Sequence, residues 1–455
     1  MMEFITSKTW IEWLLIVVKF AFAFVPVTFI LLLIPMERRG AGFIQDRQGP
    51  NRSYIKVPFF GKVRLLGWVQ NFCDALKLFF KEQYIPASAN KIMFNLAPAI
   101  PFGLTLLTPC VLPYFASLNF SFGDTVVHIP GANVDTDIGI LLMFGLSSLS
   151  VFGTVLSGWA AKSKYSFLGA LRATATSISY EVCLGISMMG MVLLAGTFSV
   201  EGIVGWQEQH AWGILVQPVA FFCFLIAAIA ETGRPPFDVS EGDPELVAGY
   251  HTEYGAMQFG MFYMGEYGHV AINSMLVAFL FFGGYAIPGM TTADVQANLG
   301  SVLAALFGIG AFLALAFLHM VYRWLRAYNR GNASNKDDIN KEYRLYKLIA
   351  WAAVPVCIAL AVVCGCFIHP EAATSLSDGT LVYGPGIALG TAAVQFLVLM
   401  VKTVFFCWVW IWVRWTLPRF RYDQIMHLGW KILLNIALLN LVITAIVAKL
   451  VMGGN

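Results

Sequence analysis

The sequence predicts an all-α membrane protein, a polytopic helix bundle of about ten transmembrane helices with one amphipathic helix in the membrane interface. Of its 455 residues, 58% are hydrophobic and only 12% are charged, whereas soluble domains carry about 25% charge. The mean hydropathy is +0.71 over the whole chain. A membrane-crossing helix needs about 20 apolar residues. Runs of that kind lie at residues 11–36, 92–116, 138–160, 166–197, 213–230, 258–287, 299–322, 346–368, 385–413 and 432–452.

The distribution of Lys and Arg supports this layout. The connections 117–137, 198–212, 288–298 and 369–384 contain neither residue, and the alternate connections hold most of the chain's 29. Connections on the cytoplasmic side of a membrane are enriched in Lys and Arg. We therefore expect a multi-pass protein of the inner (cytoplasmic) membrane. The connections expected on the cytoplasmic side are 37–91, 161–165, 231–257, 323–345 and 414–431.

Residues 66–82 differ from the ten runs, because their apolar side chains recur at helical spacing on one side and charged side chains lie on the other. Asp74, Lys77 and Lys81 share one side. We expect an amphipathic helix lying in the membrane interface, with a soluble helix packed on a partner as the alternative. The apolar side comprises Val69, Phe72, Cys73, Leu76, Phe79 and Phe80.

Charge and cysteine content exclude several other classes. The net charge is +3 without a basic run, so we expect no nucleic-acid partner. The eight cysteines form no C-x-x-C pair and lie mostly within apolar runs, where a free Cys behaves as a small hydrophobic residue. We expect no metal ion or iron–sulfur cluster bound by this chain itself.

Ionisable residues within the apolar runs are candidate functional groups, because burying a charge in a membrane is costly. Glu181 and Arg172 lie about 13 Å apart along one helix, too far for a direct pair, so Glu181 needs a partner from another helix, water or a proton. Either a role in proton relay or a structural ion pair would explain a glutamate at this depth. Lys402 is a candidate counter-charge to a buried glutamate, with packing as the alternative. Glu266 and His269, one turn apart, either extend a proton path or bond locally.

The segment from Glu231 to Glu253 is acidic on the side where positive charge is preferred. It holds six acids against Arg234, and such crowding raises the pKa of some members and couples their titrations. A solvated acidic loop is the alternative, although apolar residues are interleaved with the acids. The acids are Glu231, Asp238, Glu241, Asp243, Glu245 and Glu253.

Four blocks of sequence resemble one known family. They are ERRGAGFIQDRQGPNR, LSGWAAKSKYSFLGALRATATSISYEV, AETGRPPFDVSEGDPELVAGYHTEYG and WVRWTLPRFRYDQIMHLGWK. Together they are similar to the H-subunit family of respiratory complex I, also known as the NADH dehydrogenase subunit 1 family. The resemblance implies a membrane subunit of a proton-translocating NADH:quinone oxidoreductase, a translocase that is active only as a complex. Its quinone tunnel and its coupling to proton pumping would be built partly by this chain.

The resemblance also implies substrate, partners and sites. The substrate would be a quinone, ubiquinone or menaquinone, and no redox centre or catalytic residue would lie in this chain. Partners would be peripheral subunits carrying the terminal iron–sulfur cluster and the quinone pocket, small and antiporter-like membrane subunits, and lipid. The implied quinone-site or entrance residues are Glu37, Arg38, Arg47, Arg234, Phe237 and Asp238. The implied proton-coupling residues are Glu181, Glu231, Glu241, Asp243, Glu245, Glu253, Glu266 and Lys402.

The chain departs from the family pattern at several places. Gly233 replaces an Asn and loosens the turn, and Thr176 replaces a Gln. Extra residues precede the amphipathic helix around residues 54–65, and a longer insertion lies between Gly284 and Lys402. We therefore divide the chain into a family core with the quinone-site loops, an insertion with two extra transmembrane helices, and the last two family helices with the RFRYDQ loop. Their residues are 1–287, 288–384 and 385–455.

Two other functions remain open at this point. A related membrane subunit of an energy-converting hydrogenase would reduce protons without a quinone, although the RFRYDQ and GPNR blocks favour the quinone branch. An autonomous cation transporter would be expected to carry inverted repeats or interrupted helix pairs, and the sequence has no such symmetry.

Overall fold

The structure is a computed structural model, and every structural statement below concerns the residues that it describes. Three expected proton-coupling residues, Glu241, Asp243 and Glu245, lie outside them. The described residues are 24–47, 49–50, 52–57, 61–122, 125–134, 136–238, 248–330, 336–368, 374–375, 381–382 and 384–452.

Helices make up most of the described chain. In chain order they are α1 (Val25–Ile44), α2 (Trp68–Phe80), α3 (Lys91–Leu107), α4 (Gly139–Ala161), α5 (Lys164–Ala195), α6 (Val200–Gln209), α7 (Gly213–Val216), α8 (Pro218–Glu231), α9 (Ala256–Phe281), α10 (Thr292–Ala297), α11 (Leu299–Arg330), α12 (Lys336–Phe367), α13 (Pro385–Thr416), α14 (Tyr422–His427) and α15 (Leu434–Met452). Short 3-10 turns at Leu65–Gly67, Thr108–Val111 and Gly249–His251, and a π-helical turn at Leu428–Leu433, adjoin them.

Seven helical stretches in the described chain are long and apolar enough to cross a membrane, which confirms the predicted all-α, polytopic class. α1 and α9 occupy two more of the expected spans but carry charged side chains that include Glu37 and Glu266. The division of the chain at residues 287 and 384 stays a prediction. The seven stretches are Lys91–Val111, Gly139–Ala161, Lys164–Ala195, Leu299–Arg326, Asn340–Cys366, Pro385–Thr416 and Tyr422–Leu450.

The run expected to span the membrane at 213–230 is interrupted. α7 ends at Val216, and α8 begins at Pro218 after Gln217 leaves the helical conformation. Pro lacks a backbone N–H and is tolerated at the first turn of a helix but not in its interior. The Gln217 side chain is bonded on α15, donating to Thr444 Oγ1 at 2.7 Å and accepting from Asn440 at 2.8 Å.

Three short antiparallel hairpins, which the apolar pattern did not predict, lie in connections between helices. In the first, Ile55 pairs with Val63, and it occupies the extra residues before the amphipathic helix. The strands are β1 (Ile55–Val57) with β2 (Gly61–Val63), β3 (Leu118–Phe122) with β4 (Thr125–Ile129), and β5 (Thr374–Ser375) with β6 (Leu381–Val382).

The core is built around two long helices. α5 packs against α4, α8 and α15, and α9 packs against α1, α3 and α13. The second half of α9 is buried continuously from Val270 to Phe281. The paired helices α11 and α12 pack mainly on each other. Only 17% and 11% of their most apolar stretches are buried, so this pair lies at the edge of the bundle.

α2 is the amphipathic helix expected within residues 66–82. Val69 and Asn71 are buried, and the Asn71 amide donates to the Leu31 carbonyl of α1 at 3.0 Å. Phe72 and Phe79 are exposed large apolar side chains. An exposed row of this kind on one helix fits contact with lipid, in agreement with an interfacial position.

Candidate functional site

A buried carboxylate on α1 forms the centre of the site. Glu37 is only 5% exposed. It accepts a 2.6 Å hydrogen bond from the Tyr267 hydroxyl and pairs with Arg234 at 2.9 Å. Arg414, near the end of α13, pairs with its other oxygen. Four helices or helix ends therefore meet on one side chain, which positions them relative to one another.

Arg234 links Glu37 to a second carboxylate. Its Nη2 lies 3.4 Å from Glu266 Oε2, and its guanidinium carbon lies 3.9 Å from the centre of the Tyr267 ring. The Tyr250 hydroxyl donates to Glu266 at 2.9 Å. Two carboxylates thus face two guanidinium groups. Buried ion pairs are favourable only when further hydrogen bonds satisfy their polar atoms. The two tyrosine hydroxyls supply such bonds to the carboxylates, whereas Arg234 Nε has no hydrogen-bond partner in the described chain.

The end of α8 places Arg234 in this cluster. Gly233 has φ +63, in the left-handed region, and turns the chain straight after Glu231. Gly and Asn are the residues that accept this conformation most readily, so the departure from the family's Asn suits the local backbone. Phe237 N–H then donates to the Arg234 carbonyl at 2.9 Å and closes the turn.

A cavity of about 80 Å³, lined by both polar and apolar residues, adjoins the cluster. Glu266, His269 and Glu231 line it, so three of the expected ionisable residues face one space. That volume exceeds what a single water requires, and hydroxyl groups provide hydrogen-bonding partners. The hydroxyl residues are Ser150, Thr154, Thr176 and Ser177.

Consecutive serines of α4 connect two glutamates beyond the cavity. Ser147 Oγ donates to Glu231 at 3.0 Å, and Ser148 Oγ donates to Glu181. Asn273 donates to the second Glu231 oxygen at 3.0 Å. Glu181 thus has a partner from another helix, which is one of the alternatives that its spacing from Arg172 left open.

The segment after Arg234 docks on the last cytoplasmic-side connection expected from the sequence. Asp238 is buried and pairs with Arg419 at 3.1 Å. The Phe237 ring packs between Tyr180 and Phe420, with ring centres 5.5 and 5.6 Å away. These contacts join the acidic segment to the RFRYDQ region.

The remaining expected residues lie around this centre. Arg38 pairs with Asp74 and so fastens α2 to the end of α1. Glu253 is half-buried in the turn before α9. Arg47 lines a separate, larger cavity.

Lys402 occupies a different setting from the one expected. Its Nζ donates to the carbonyl oxygens of Phe282, Gly284 and Ala286 at 2.7, 2.8 and 2.7 Å. These carbonyls follow the end of α9, where backbone acceptors lack helical partners and the helix dipole is negative. Carbonyl groups rather than a glutamate therefore hold the ammonium in place.

His251 is a titratable group beside the site, outside the membrane-spanning helices. His251 belongs to the 3-10 turn before α9 and packs edge-on against the Tyr250 ring at 4.5 Å. Burial lowers the pKa of His251, and the charge of Glu266 opposes that shift. The imidazole is therefore favoured in its neutral form.

Several members of the site were not singled out from the sequence. Tyr250 lies in the acidic connection and Tyr267 in an apolar run, and a tyrosine is ordinary in either place and gives no signal of its own. Ser147 and Ser148 are a polar pair in the middle of the apolar α4, and that pair is the one signal that would have found them. In the described chain, no group of three or more His, Cys, Asp or Glu residues lies close enough to hold a metal ion.

Comparison with known proteins agrees with the four sequence blocks. The family model described as NADH dehydrogenase matches residues 16–331 and 344–445. The NADH-quinone oxidoreductase H subunit of Bdellovibrio bacteriovorus is 35% identical over 91% of this chain and 91% of its own length. The corresponding H subunit of Flavobacterium psychrophilum is 33% identical over 90% of each chain. NADH-quinone oxidoreductase subunit 8 of Rhodothermus marinus is 33% identical over 91% of each. The chain belongs to the NADH dehydrogenase family, as a multi-pass membrane protein related to the H subunits of NADH-quinone oxidoreductase.

Proposed function

We propose that this chain helps to form the quinone-binding tunnel of a proton-translocating NADH:quinone oxidoreductase and couples quinone reduction to proton pumping. The observation that carries the proposal is a row of buried and half-buried ionisable and hydroxyl groups across the bundle. It runs from Glu37 through Arg234 and Glu266 to the cavity, and from Glu231 through the two serines to Glu181. The relatives named NADH-quinone oxidoreductase favour this function over the hydrogenase and transporter alternatives.

The proposed setting follows from the sequence and the relatives. The chain acts in the inner membrane with its Lys- and Arg-rich connections in the cytoplasm. A peripheral subunit carrying the terminal iron–sulfur cluster delivers electrons, and small and antiporter-like membrane subunits receive the coupling signal. The substrate is a quinone dissolved in the lipid.

The quinone enters between α1, α2 and α9 in this proposal. Arg38 and Asp74 hold α2 against the end of α1, and the exposed apolar side chains of α2 face the lipid that supplies the substrate. Phe237 and Asp238, docked on Phe420 and Arg419, fix the wall below Arg234. The chain thereby shapes the entrance without supplying a redox group.

Coupling starts with the charge of the reacting quinone. Reduction to the quinol takes up two electrons and two protons, so charge near the ring changes during turnover. A unit charge interacts with a second unit charge about 4 Å away by about 4 kcal/mol at an effective dielectric constant of about 20. In this proposal the guanidinium group of the buried Arg234 responds to the charge on the quinone. Glu266 then changes its proton affinity, and protons or field changes pass through the cavity to Glu231 and Glu181.

The remaining acids of the acidic segment complete the proposal. Glu253 and the residues outside the described chain, Glu241, Asp243 and Glu245, sense the same charge change or supply the protons that the quinone takes up. Crowded carboxyls suit either role, because their titrations are coupled.

The variant Arg234→Gln tests the proposal. Removing one member of a buried ion pair costs about 3–5 kcal/mol, so assembly is measured by native gel alongside quinone reductase activity in membranes. We expect the quinone reductase activity of assembled Arg234→Gln complex to fall at least about tenfold. A tenfold fall corresponds to a loss of about 1.4 kcal/mol of transition-state stabilisation.

Arg421→Gln is the matched control. Arg421 and Asp423 lie 3.7 Å apart with side chains 81% and 74% exposed, and exposed pairs contribute little. Assembled Arg234→Gln complex that turns over at the rate of this control would contradict the proposed function.

A further inference from the structure

A second cavity near the expected quinone site is lined in part by the helices α11 and α12 of the expected insertion. It has a volume of about 420 Å³ and lies between the end of α1, the connection that follows, and the paired helices α11 and α12. It shares no lining residue with the cavities at Glu37 and Glu231. Its apolar wall consists of Phe43, Leu66, Phe317, Met320, Val321 and Trp324.

The other wall of this cavity carries more arginine than acid. Its charged residues are Arg39, Arg47 and Arg64 against Asp46 and Glu342. Arg64 and Glu342 neutralise each other in a buried pair at 3.0 Å.

After this pair is set aside, Arg39 and Arg47 remain against Asp46, which leaves a surplus of one positive charge. Arg47 Nε donates to the Gln45 amide oxygen at 2.6 Å, and Arg39 Nε is buried with no hydrogen-bond partner in the described chain. Among the described residues, neither arginine forms an ion pair with a carboxylate. The cavity is therefore electropositive at one end.

The cavity opens towards the membrane. Met320 is 60% exposed although it lines the cavity, and Trp324 and Phe43 are exposed as well. Both α11 residues lie near the end of the apolar stretch Leu299–Arg326, and Arg323 and Arg326 are close to them in the chain, at the level where the lipid surface is expected. The electropositive end and the apolar wall are thus expected at the levels of the headgroups and of the acyl chains of a bilayer.

We propose that this cavity binds one acidic phospholipid, with its phosphate on Arg39 and Arg47 and an acyl chain along Phe317, Met320 and Trp324. Guanidinium groups bind phosphate through paired, charge-assisted hydrogen bonds, and basic pockets between membrane helices on the cytoplasmic side bind anionic headgroups. A quinone ring is uncharged and would not neutralise the surplus positive charge of the cavity. The extra helices thereby provide a lipid site beside the quinone entrance, independent of the chemistry at Glu37.

Photocrosslinking tests this site in the intact complex. The purified complex is reconstituted with phosphatidylglycerol, phosphatidylcholine or a quinone analogue, each carrying a diazirine on its tail, and the crosslinked peptides are identified by mass spectrometry. We expect phosphatidylglycerol to label residues 317–324, and the double variant Arg39→Gln with Arg47→Gln to lose about tenfold of that label. Arg326→Gln, an exposed residue of α11 outside the cavity, retains it.

Each result decides the proposal. Equal labelling by phosphatidylcholine would contradict the preference for an acidic headgroup. Labelling of residues 317–324 by the quinone analogue alone would contradict the assignment of the cavity to a phospholipid. Undiminished labelling of the double variant overturns the role of the two arginines. If the double variant fails to assemble, the comparison of phosphatidylglycerol with phosphatidylcholine on the wild-type complex still decides between the outcomes.

Discussion

Arg64 and Glu342, which are 278 residues apart in the chain, form a buried ion pair with Nη1 and Oε2 3.0 Å apart. The Arg64 backbone N–H donates to the same carboxylate at 2.9 Å, and the Tyr346 hydroxyl donates to it at 2.7 Å. Arg64 follows the hairpin of β1 and β2, and Glu342 lies on α12. These two segments, both expected from the sequence to depart from the family pattern, therefore stabilise each other beside the start of α2.

Glu342→Gln is expected to loosen this hairpin. Leaving the Arg64 guanidinium buried without its carboxylate costs about 3–5 kcal/mol, which is a large share of the local stability. Hydrogen exchange of the β1 and β2 amides should accelerate, while exchange in α5 stays slow. Arg421→Gln, which removes an exposed pair, should leave the hairpin unchanged. Unaltered exchange in Glu342→Gln would show that the ion pair does not stabilise the hairpin.

Lys402→Met is expected to weaken the contact between α13 and the end of α9. Three carbonyl oxygens would lose their donor, and each buried acceptor left without a partner costs about 1–3 kcal/mol. The midpoint of thermal unfolding of the assembled complex should fall clearly. Lys431→Met, at an exposed position of the π-helical turn, should not move it. Equal midpoints for the two variants would contradict the role of the ammonium.

Two acids near α10 should differ in the pH at which they react with a hydrophobic carbodiimide. Burial raises the pKa of Glu208, with hydrogen bonds from Thr292 partly opposing the shift. Hydrogen bonds from Thr291 lower the pKa of Asp294. Carbodiimides react with the protonated carboxyl, and a carboxyl with a raised pKa keeps its proton to higher pH. Glu208 should therefore still be labelled at a pH at which Asp294 is no longer labelled.

Peptide mass spectrometry across a pH series measures this difference, and Glu208→Gln identifies the adduct. Labelling of both residues with the same pH dependence would contradict the opposite directions of the two shifts.

Most of the helix positions followed from the sequence because a helix that crosses lipid must be apolar along its length and must satisfy its own backbone hydrogen bonds. The break at Gln217 and Pro218 was missed because the apolar run continues across it. The bonds of the Gln217 side chain to Thr444 and Asn440 on α15 cannot be read from a run of apolar residues.

The hairpin of β3 and β4 was missed although Leu118, Phe120 and Phe122 recur at the period of a strand, because the pattern of a membrane-crossing helix depends only on long apolar runs. The other four strands have two or three residues each, which is too short for a periodic pattern.

The candidate site was predicted only in part. Acids within apolar runs are visible in a sequence because their cost is high, so Glu181 and Glu266 stood out. Their partners were not visible, since contacts such as Arg414 to Glu37, 377 residues apart, depend on how the helices pack. Lys402 was expected to face a glutamate because the free carbonyls after α9 cannot be read from residue types.

The most direct test of the central claim is the rate of proton translocation during quinone reduction in proteoliposomes that contain Glu231→Gln or Glu181→Gln complex. If the row of ionisable and hydroxyl groups from Glu37 to Glu181 carries the coupling, both variants should assemble and translocate protons at least about tenfold more slowly, because positioned proton-transfer groups contribute factors of about 100 to 10,000. Asp423→Asn, which neutralises an exposed acid, should match the wild type. Wild-type translocation by assembled Glu231→Gln and Glu181→Gln complexes would contradict the account.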